Sequence, residues 1–190
     1  MLLPIIDSKQ FSNTDFSDNS FQKAEYDNCN FTNCNFADTN LSSITFIECE
    51  FDTCNFSNAS IRNTTFREVE FIDCKLIGLQ FQDCSPFLLS FGFLNCQLQF
   101  SSFYKLKLKA IQFVNSNLNQ VNFTETDLSN ALFDNCDFNH AIFEQTNLKN
   151  ADFSSSENIV LNPENNTITK AKFSKENVLG LLQHYQITIV

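Results

Sequence analysis

From Phe11 to Phe81 every fifth residue is large and apolar, a spacing that fits neither the period of a helix nor that of a strand. Positions 11, 16, 21, 26 and onward read Phe, Phe, Phe, Tyr, Phe, Phe, Leu, Phe, Phe, Phe, Ile, Phe, Phe, Leu, Phe, fifteen in succession without a miss. A second run starts in a new frame at Phe93 and gives thirteen more, ending at Phe153. The position two before each large residue is also restricted. It holds Thr14, Asn19, Ala24, Cys29, Cys34 and Thr39 early in the first run, and Ser116, Thr126, Ala131 and Cys136 in the second. With the large residue written as i, the interior is predicted to take i and i−2 while the other three positions face water. Within the two runs no carboxylate falls at either interior position.

The repeating CNF, TNL, TDL and ADF triplets resemble the pentapeptide-repeat family, with its A(D/N)LXX consensus, over roughly residues 11–155. That resemblance implies an all-β solenoid, a right-handed quadrilateral β-helix in which each quintet makes one side and four make a coil. Coils stacked at the strand spacing of about 4.8 Å satisfy one another's backbone groups, and a narrow dry interior admits one bulky and one slim side chain per side. A coil of twenty residues predicts columns, the first running Phe11, Phe31, Phe51, Phe71. Phe81 and Phe93 are twelve residues apart, two more than two quintets. If the extra two bulge outward, the same face continues through Phe93, Phe113, Phe133 and Phe153, and Leu108, Leu128 and Leu148 stack on a neighbouring face.

At 190 residues the length suits one domain, read as a β-helix over 1–158 with a break at 84–92, then a C-terminal cap, short helix and tail over 159–190. Asn, Asp and Ser are expected at most corners, because the chain has only three glycines. All eight cysteines occupy i−2 positions. They are therefore expected to pack as small buried groups, with Cys34, Cys54 and Cys74 in one stack and Cys29 and Cys49 in another. No C-x-x-C spacing suggests a metal site, and no cofactor is expected. Free thiols point to a reducing compartment and a cytoplasmic protein. Met1–Ile6 is too short and lacks the basic start of a leader, and residues 1–10 are expected to cap the lower end of the rod. No apolar run reaches membrane-spanning length.

A net charge of −10 argues against direct binding to a nucleic-acid backbone and for a partner with a basic groove. Acids of the first block lean toward two adjoining faces: Glu25, Asp27, Glu48, Glu50, Asp52, Glu68, Glu70 and Asp73 form a candidate partner-binding strip. After the break, Lys105, Lys107 and Lys109 form the only basic cluster of the repeats, and they are expected to pair with acids of neighbouring coils. Ser174 is a candidate N-cap for a terminal helix carrying Val178, Leu179, Leu181, Leu182 and Tyr185 on one side. With Ile187 and Ile189 of the tail, these residues form a candidate dimer interface. Gly180 inside that helix carries a penalty of about 1 kcal/mol relative to alanine.

Repeats, a central break, a terminal helix and an apolar tail together resemble the Qnr and MfpA group of the family. The resemblance implies a homodimeric acidic rod that binds DNA gyrase or topoisomerase IV as a mimic of duplex DNA and counteracts fluoroquinolones. The two-residue insertion near Pro86 departs from the long projecting loops of many Qnr members. It places the chain nearer to loop-less members, and that resemblance implies topoisomerase binding with inhibition rather than protection. The alternative is a non-catalytic interaction scaffold for an unrelated partner. No enzyme is expected: His140 faces outward without a placed nucleophile, His184 lies in the tail helix, and a convex rod has no pocket to tune its carboxylates.

Overall fold

The computed structural model describes residues 3–18 and 21–188. Met1, Leu2, Asn19, Ser20, Ile189 and Val190 lie outside the described residues, and so do the interior role expected of Asn19 and the interface role expected of Ile189. The chain winds as an all-β solenoid whose four walls are named here by four successive large residues, Phe11, Phe16, Phe21 and Tyr26.

Three side-chain rules build each quintet. The residue at i−3 turns the corner at positive φ, as in Asn28 (50°), Asn33 (53°) and Asp38 (56°). Its N–H donates to a carbonyl of the coil above, for example Asn28 to Ile47 at 2.9 Å. This rung offsets a left-handed penalty of about 1–2 kcal/mol. The corners are not left to Asn, Asp and Ser: Glu48, Glu68, Lys105, Gln120 and His140 adopt the same conformation, because the rung bond imposes it whatever the side chain. At i−1, Asn or Asp accepts a hydrogen bond from the N–H two residues on, as Asp15 does from Ser17 (2.9 Å) and Asn117 from Asn119 (3.0 Å). That Asx turn is the physical reason for the D/N of the repeat. At i−2, slim side chains that carry a hydroxyl or thiol donate to the carbonyl of a large residue in the coil below. Thr64 donates to Leu41 (2.8 Å), Cys74 to Phe51 (3.2 Å) and Ser156 to Phe133 (2.8 Å).

The large residues stack as the period requires. Phe11, Phe31, Phe51, Phe71, Phe93, Phe113, Phe133 and Phe153 form one column, which Phe173 extends by one ring. Successive centroids lie 4.6–5.5 Å apart with planes 6–14° from parallel. On this wall nine parallel strands run from Gln10–Ser12 to Lys172–Phe173. The Phe16 and Phe21 walls are joined by isolated bridges such as Asn35↔Asn55 and Asn40↔Ser60. The 158 boundary marks the loss of the five-residue period rather than the end of the stack, since Phe173 pairs with Phe153.

The break interrupts one wall only. Rung partners move from a separation of 20 to one of 22, as in Phe71↔Phe93 and Lys75↔Gln97. The Tyr26 wall is a sheet of four strands that stops at Thr65–Arg67, and its bridging resumes higher up at Lys107↔Asp127. Between them the bulge stays tied by Ser85 N–H to Thr64 O (2.8 Å) and Ser90 N–H to Phe66 O (3.0 Å), while Phe87 and Leu88 turn into solvent. The wall therefore lacks its large residue in this coil. Phe91 fills the room from the slim position of the next wall, packing against Phe81 at 5.3 Å and Phe66 at 6.2 Å.

The terminal helix differs from the expectation. It forms two 3-10 segments, Asn177–Leu181 and Gln183–Tyr185, rather than one amphipathic helix, which accords with the low stability of so short an α-helix. Ser174 is not the N-cap, a place taken by Glu176 without a side-chain cap bond, but its Oγ accepts the Asn177 N–H at 3.0 Å. The tighter turn does not gather the apolar side chains on one side: Leu181 is buried, Leu182 half-buried, and Val178, Leu179, Tyr185 and Ile187 are exposed. Two groups seat the cap. The buried Asn177 amide donates to the carbonyls of Ser156 and Phe153, and Gly180 lies so close to the Ile159 carbonyl that a Cβ there would overlap it. A residue read from sequence as a penalty is thus the one the close approach demands.

Candidate functional site

Folding brings the eight candidate acids of the first block onto two adjoining walls and their corners. Glu25 and Asp27 lie on the Tyr26 wall. Glu48 and Glu68 turn the corner between that wall and the next at φ 49° and 53°. Glu50, Asp52 and Glu70 stand on the Phe11 wall, and Asp73 turns its far corner. Glu50 and Glu70 are direct rung partners. Burial, and secondarily the charge of Glu50, push the Glu70 carboxyl above its ordinary value. Asp7, not foreseen as part of the strip, is the rung partner of Asp27 and lengthens it downward. Arg67 interrupts it, and above Asp52 the outward positions of the same ladder turn apolar with Ile72, Leu94 and Val114.

Rung spacing turns this list into a charge density. Eight acids over three coils, about 14 Å of axis at the strand spacing, give about one charge per 1.8 Å before Arg67 is counted, against about 1.7 Å in duplex DNA. Counted the same way, the 22 acids of the whole chain over nine rungs, about 43 Å, give about one per 2 Å, while the net charge of −10 gives about one per 4 Å.

The basic cluster is mostly neutralised within the rod. Lys105 Nζ lies 3.3 Å from Glu125 Oε2 and 4.8 Å from the centre of the Tyr104 ring, and Lys109 Nζ lies 3.9 Å from Asp127 Oδ2. Lys107 makes no ion pair among the described residues.

All eight cysteines are free and buried. Their column continues upward from Cys34, Cys54 and Cys74 to Cys96, Ser116, Cys136 and Ser156, with Cys34 and Cys54 N–H groups each 3.4 Å from the Sγ above. Burial pushes the thiols of Cys49, Cys84, Cys96 and Cys136 up to about 12, which removes their nucleophilicity at neutral pH. The native protein should therefore leave an aromatic disulfide reagent unreduced for as long as it stays folded, and release all eight equivalents in denaturant. Rapid release from the folded state would contradict the dry interior.

At the upper end Val178, Leu179, Tyr185 and Ile187 are exposed, as are Ile142 and Val160 of the coils beneath. Val160 and Leu179 line one recess, with His140, Glu157, Asn177 and Gln183. Tyr185 is tethered to the rod by its hydroxyl, which donates to Glu164 Oε1 at 3.1 Å. Among the described residues no cluster of His, Cys, Asp and Glu is arranged to hold a metal ion, and no helix is long and apolar enough to cross a membrane.

A family model described as pentapeptide repeat region matches residues 24–86 and 88–159. Among solved structures, a trypsin-treated variant of QnrB1, a plasmid-mediated fluoroquinolone resistance protein, aligns at a TM-score of 0.50 and 19% identity. The alignment covers 100% of this chain and 99% of that one. HetL, a pentapeptide repeat protein involved in heterocyst differentiation regulation in the cyanobacterium Nostoc, aligns at a TM-score of 0.48 and 13% identity over 90% of this chain and 88% of that one. These likenesses concern the fold. No curated protein sequence matches the chain.

Proposed function

Since the chain belongs to the pentapeptide-repeat family, whose fold offers a rigid convex surface, we propose that it works by presenting that surface to a protein partner. The specific reading is that the acidic strip occupies the basic, duplex-binding groove of a type II topoisomerase, DNA gyrase or topoisomerase IV, in place of DNA. The observation that carries it is the strip itself: Glu50 beneath Glu70 and Asp7 beneath Asp27 hold charge at rung spacing on a rigid support, close to the linear density of a duplex. The Qnr resemblance supplies the partner class, and fluoroquinolone resistance follows only if that resemblance extends to function. A homodimer joined at the C-terminal end would double the length of the rod, with Val178, Leu179 and Ile187 as the exposed apolar contacts.

A gyrase supercoiling assay tests the reading at rising protein and rising salt. Micromolar protein should alter supercoiling at low salt, and added salt should weaken the effect, because the attraction is between screened charges. No effect at low salt would overturn topoisomerase binding and leave a scaffold for another partner. Mass in solution checks the dimer separately. Val178→Glu with Leu179→Glu should give monomers, whereas Leu181 is an unsuitable target because its burial makes it part of the cap.

A further inference from the structure

Where the bulge leaves the Tyr26 wall, the coil carrying residues 89–94 and the coil above it part at the corner, opening a cleft of about 470 Å³. The cleft has two poles. Lys107 and Lys109 line its upper side, the Glu70 carboxylate lies on its lower side, and Leu89, Leu94 and Val114 lie between them. The Glu70 carboxylate lies against Gly92, in the space a Cβ there would enter.

Backbone groups point to the kind of occupant. In the coils above, residues at the place of Lys107 donate downward to the preceding coil: Asp127 N–H to Leu106 O at 2.9 Å, Asn147 N–H to Thr126 O at 3.0 Å. The coil beneath Lys107 is the bulged one, and among the described residues the Lys107 N–H has no backbone acceptor. The sheet below also stops one rung short, at Thr65–Arg67. The wall thus has an interrupted ladder beside an apolar floor. Charge narrows the choice further. Lys107 is the lysine of its cluster without an ion pair among the described residues, and from Cys84 to Thr124 the chain has no acid at all.

We propose that this cleft binds an extended peptide segment of a partner protein in which carboxylates alternate with aliphatic side chains. A carboxylate of the segment meets Lys107, its aliphatic side chains cover Leu94 and Val114, a main-chain carbonyl accepts the Lys107 N–H, and a main-chain N–H donates to Glu70. Recognition of an extended chain by an interrupted sheet joins main-chain bonding to side-chain selection. The cleft shares Glu70 with the acidic strip, but its lysine pole and apolar floor lie outside that strip, so the proposal neither needs nor implies the topoisomerase reading.

The test uses the full chain and two blocked hexapeptides, one alternating Asp with Leu and one alternating Lys with Leu, followed through backbone amide resonances. The Asp–Leu peptide should shift the Lys107 and Gly92 amides saturably, and the Lys–Leu peptide should not. Lys107→Glu, at an exposed side chain, should weaken binding at least tenfold while leaving the spectrum of the free protein dispersed. Three results would each overturn the proposal: no shift at either amide up to millimolar peptide, equal shifts by both peptides, or binding unchanged by Lys107→Glu.

Discussion

Phe51→Ala is expected to lower the unfolding free energy by about 3–5 kcal/mol, the range for removing a fully buried aromatic ring. Phe51 is 0% exposed. Its ring stacks between Phe31 at 4.7 Å and Phe71 at 5.3 Å and meets Phe46 and Phe56 edge-on at 5.2 and 5.0 Å. The four walls are tied at every rung, so they cannot close on the void, and the cavity component of the loss is kept rather than relaxed. Phe11→Ala provides the internal comparison: it is half-buried in the lowest described coil, and its loss should be about half as large. Urea unfolding monitored by far-ultraviolet circular dichroism gives both values. Equal losses at the two positions, or a loss at Phe51 below about 1 kcal/mol, would contradict an axial column under common constraint.

Cys74→Asp should be more damaging still, at least about 4 kcal/mol at neutral pH, because it places a carboxylate in a dry interior. Cys74 is 0% exposed, donates to the Phe51 carbonyl at 3.2 Å and receives the Cys54 N–H at 3.4 Å. An ionised aspartate can accept that N–H but has no proton for the carbonyl. Its pKa in the folded state is therefore raised above the unfolded value of about 3.9, and the folded state binds the extra proton. Stability is then greatest at acid pH and is lost as pH rises through the raised value, so the deficit relative to the parent should grow between about pH 4 and pH 8. Cys74→Ser supplies the control, since Ser116 and Ser156 already occupy the same column and Ser156 Oγ donates to the Phe133 carbonyl at 2.8 Å. It should fold with a change within about 1 kcal/mol. An Asp variant as stable as the parent at pH 8 would refute the dry column.

The repeat was legible because every large side chain is placed by its own quintet. Phe51 lies where it does because of residues 48–52, and the coil of twenty merely aligns it with Phe31 and Phe71. The cysteine stack was legible for the same reason. The candidate strip was legible as a list of acids but not as a geometry, since the register Glu50↔Glu70 and the interruption by Arg67 depend on which coil lies above which. Phe91 escaped the periodic reading because it sits at a slim position. Only the ejection of Leu88 into solvent gives its ring a place inside. The two-sided terminal helix escaped it as well: the 3-10 winding that sends Leu181 inward and Leu179 outward is imposed by docking on Ile159 and Ser156, not by the local pattern.

By itself, then, the amino-acid order determined the four-walled coil, the identity of its interior and the place where it falters, because in a solenoid those properties are local and repeat. The tertiary structure alone decided that the bulge opens a cleft between Glu70 and Lys107, that two of three lysines are neutralised by the coil above, and that a glycine is needed where the cap meets the rod. Each of those depends on contact between residues about twenty or more positions apart, whose free energy no window of five residues contains.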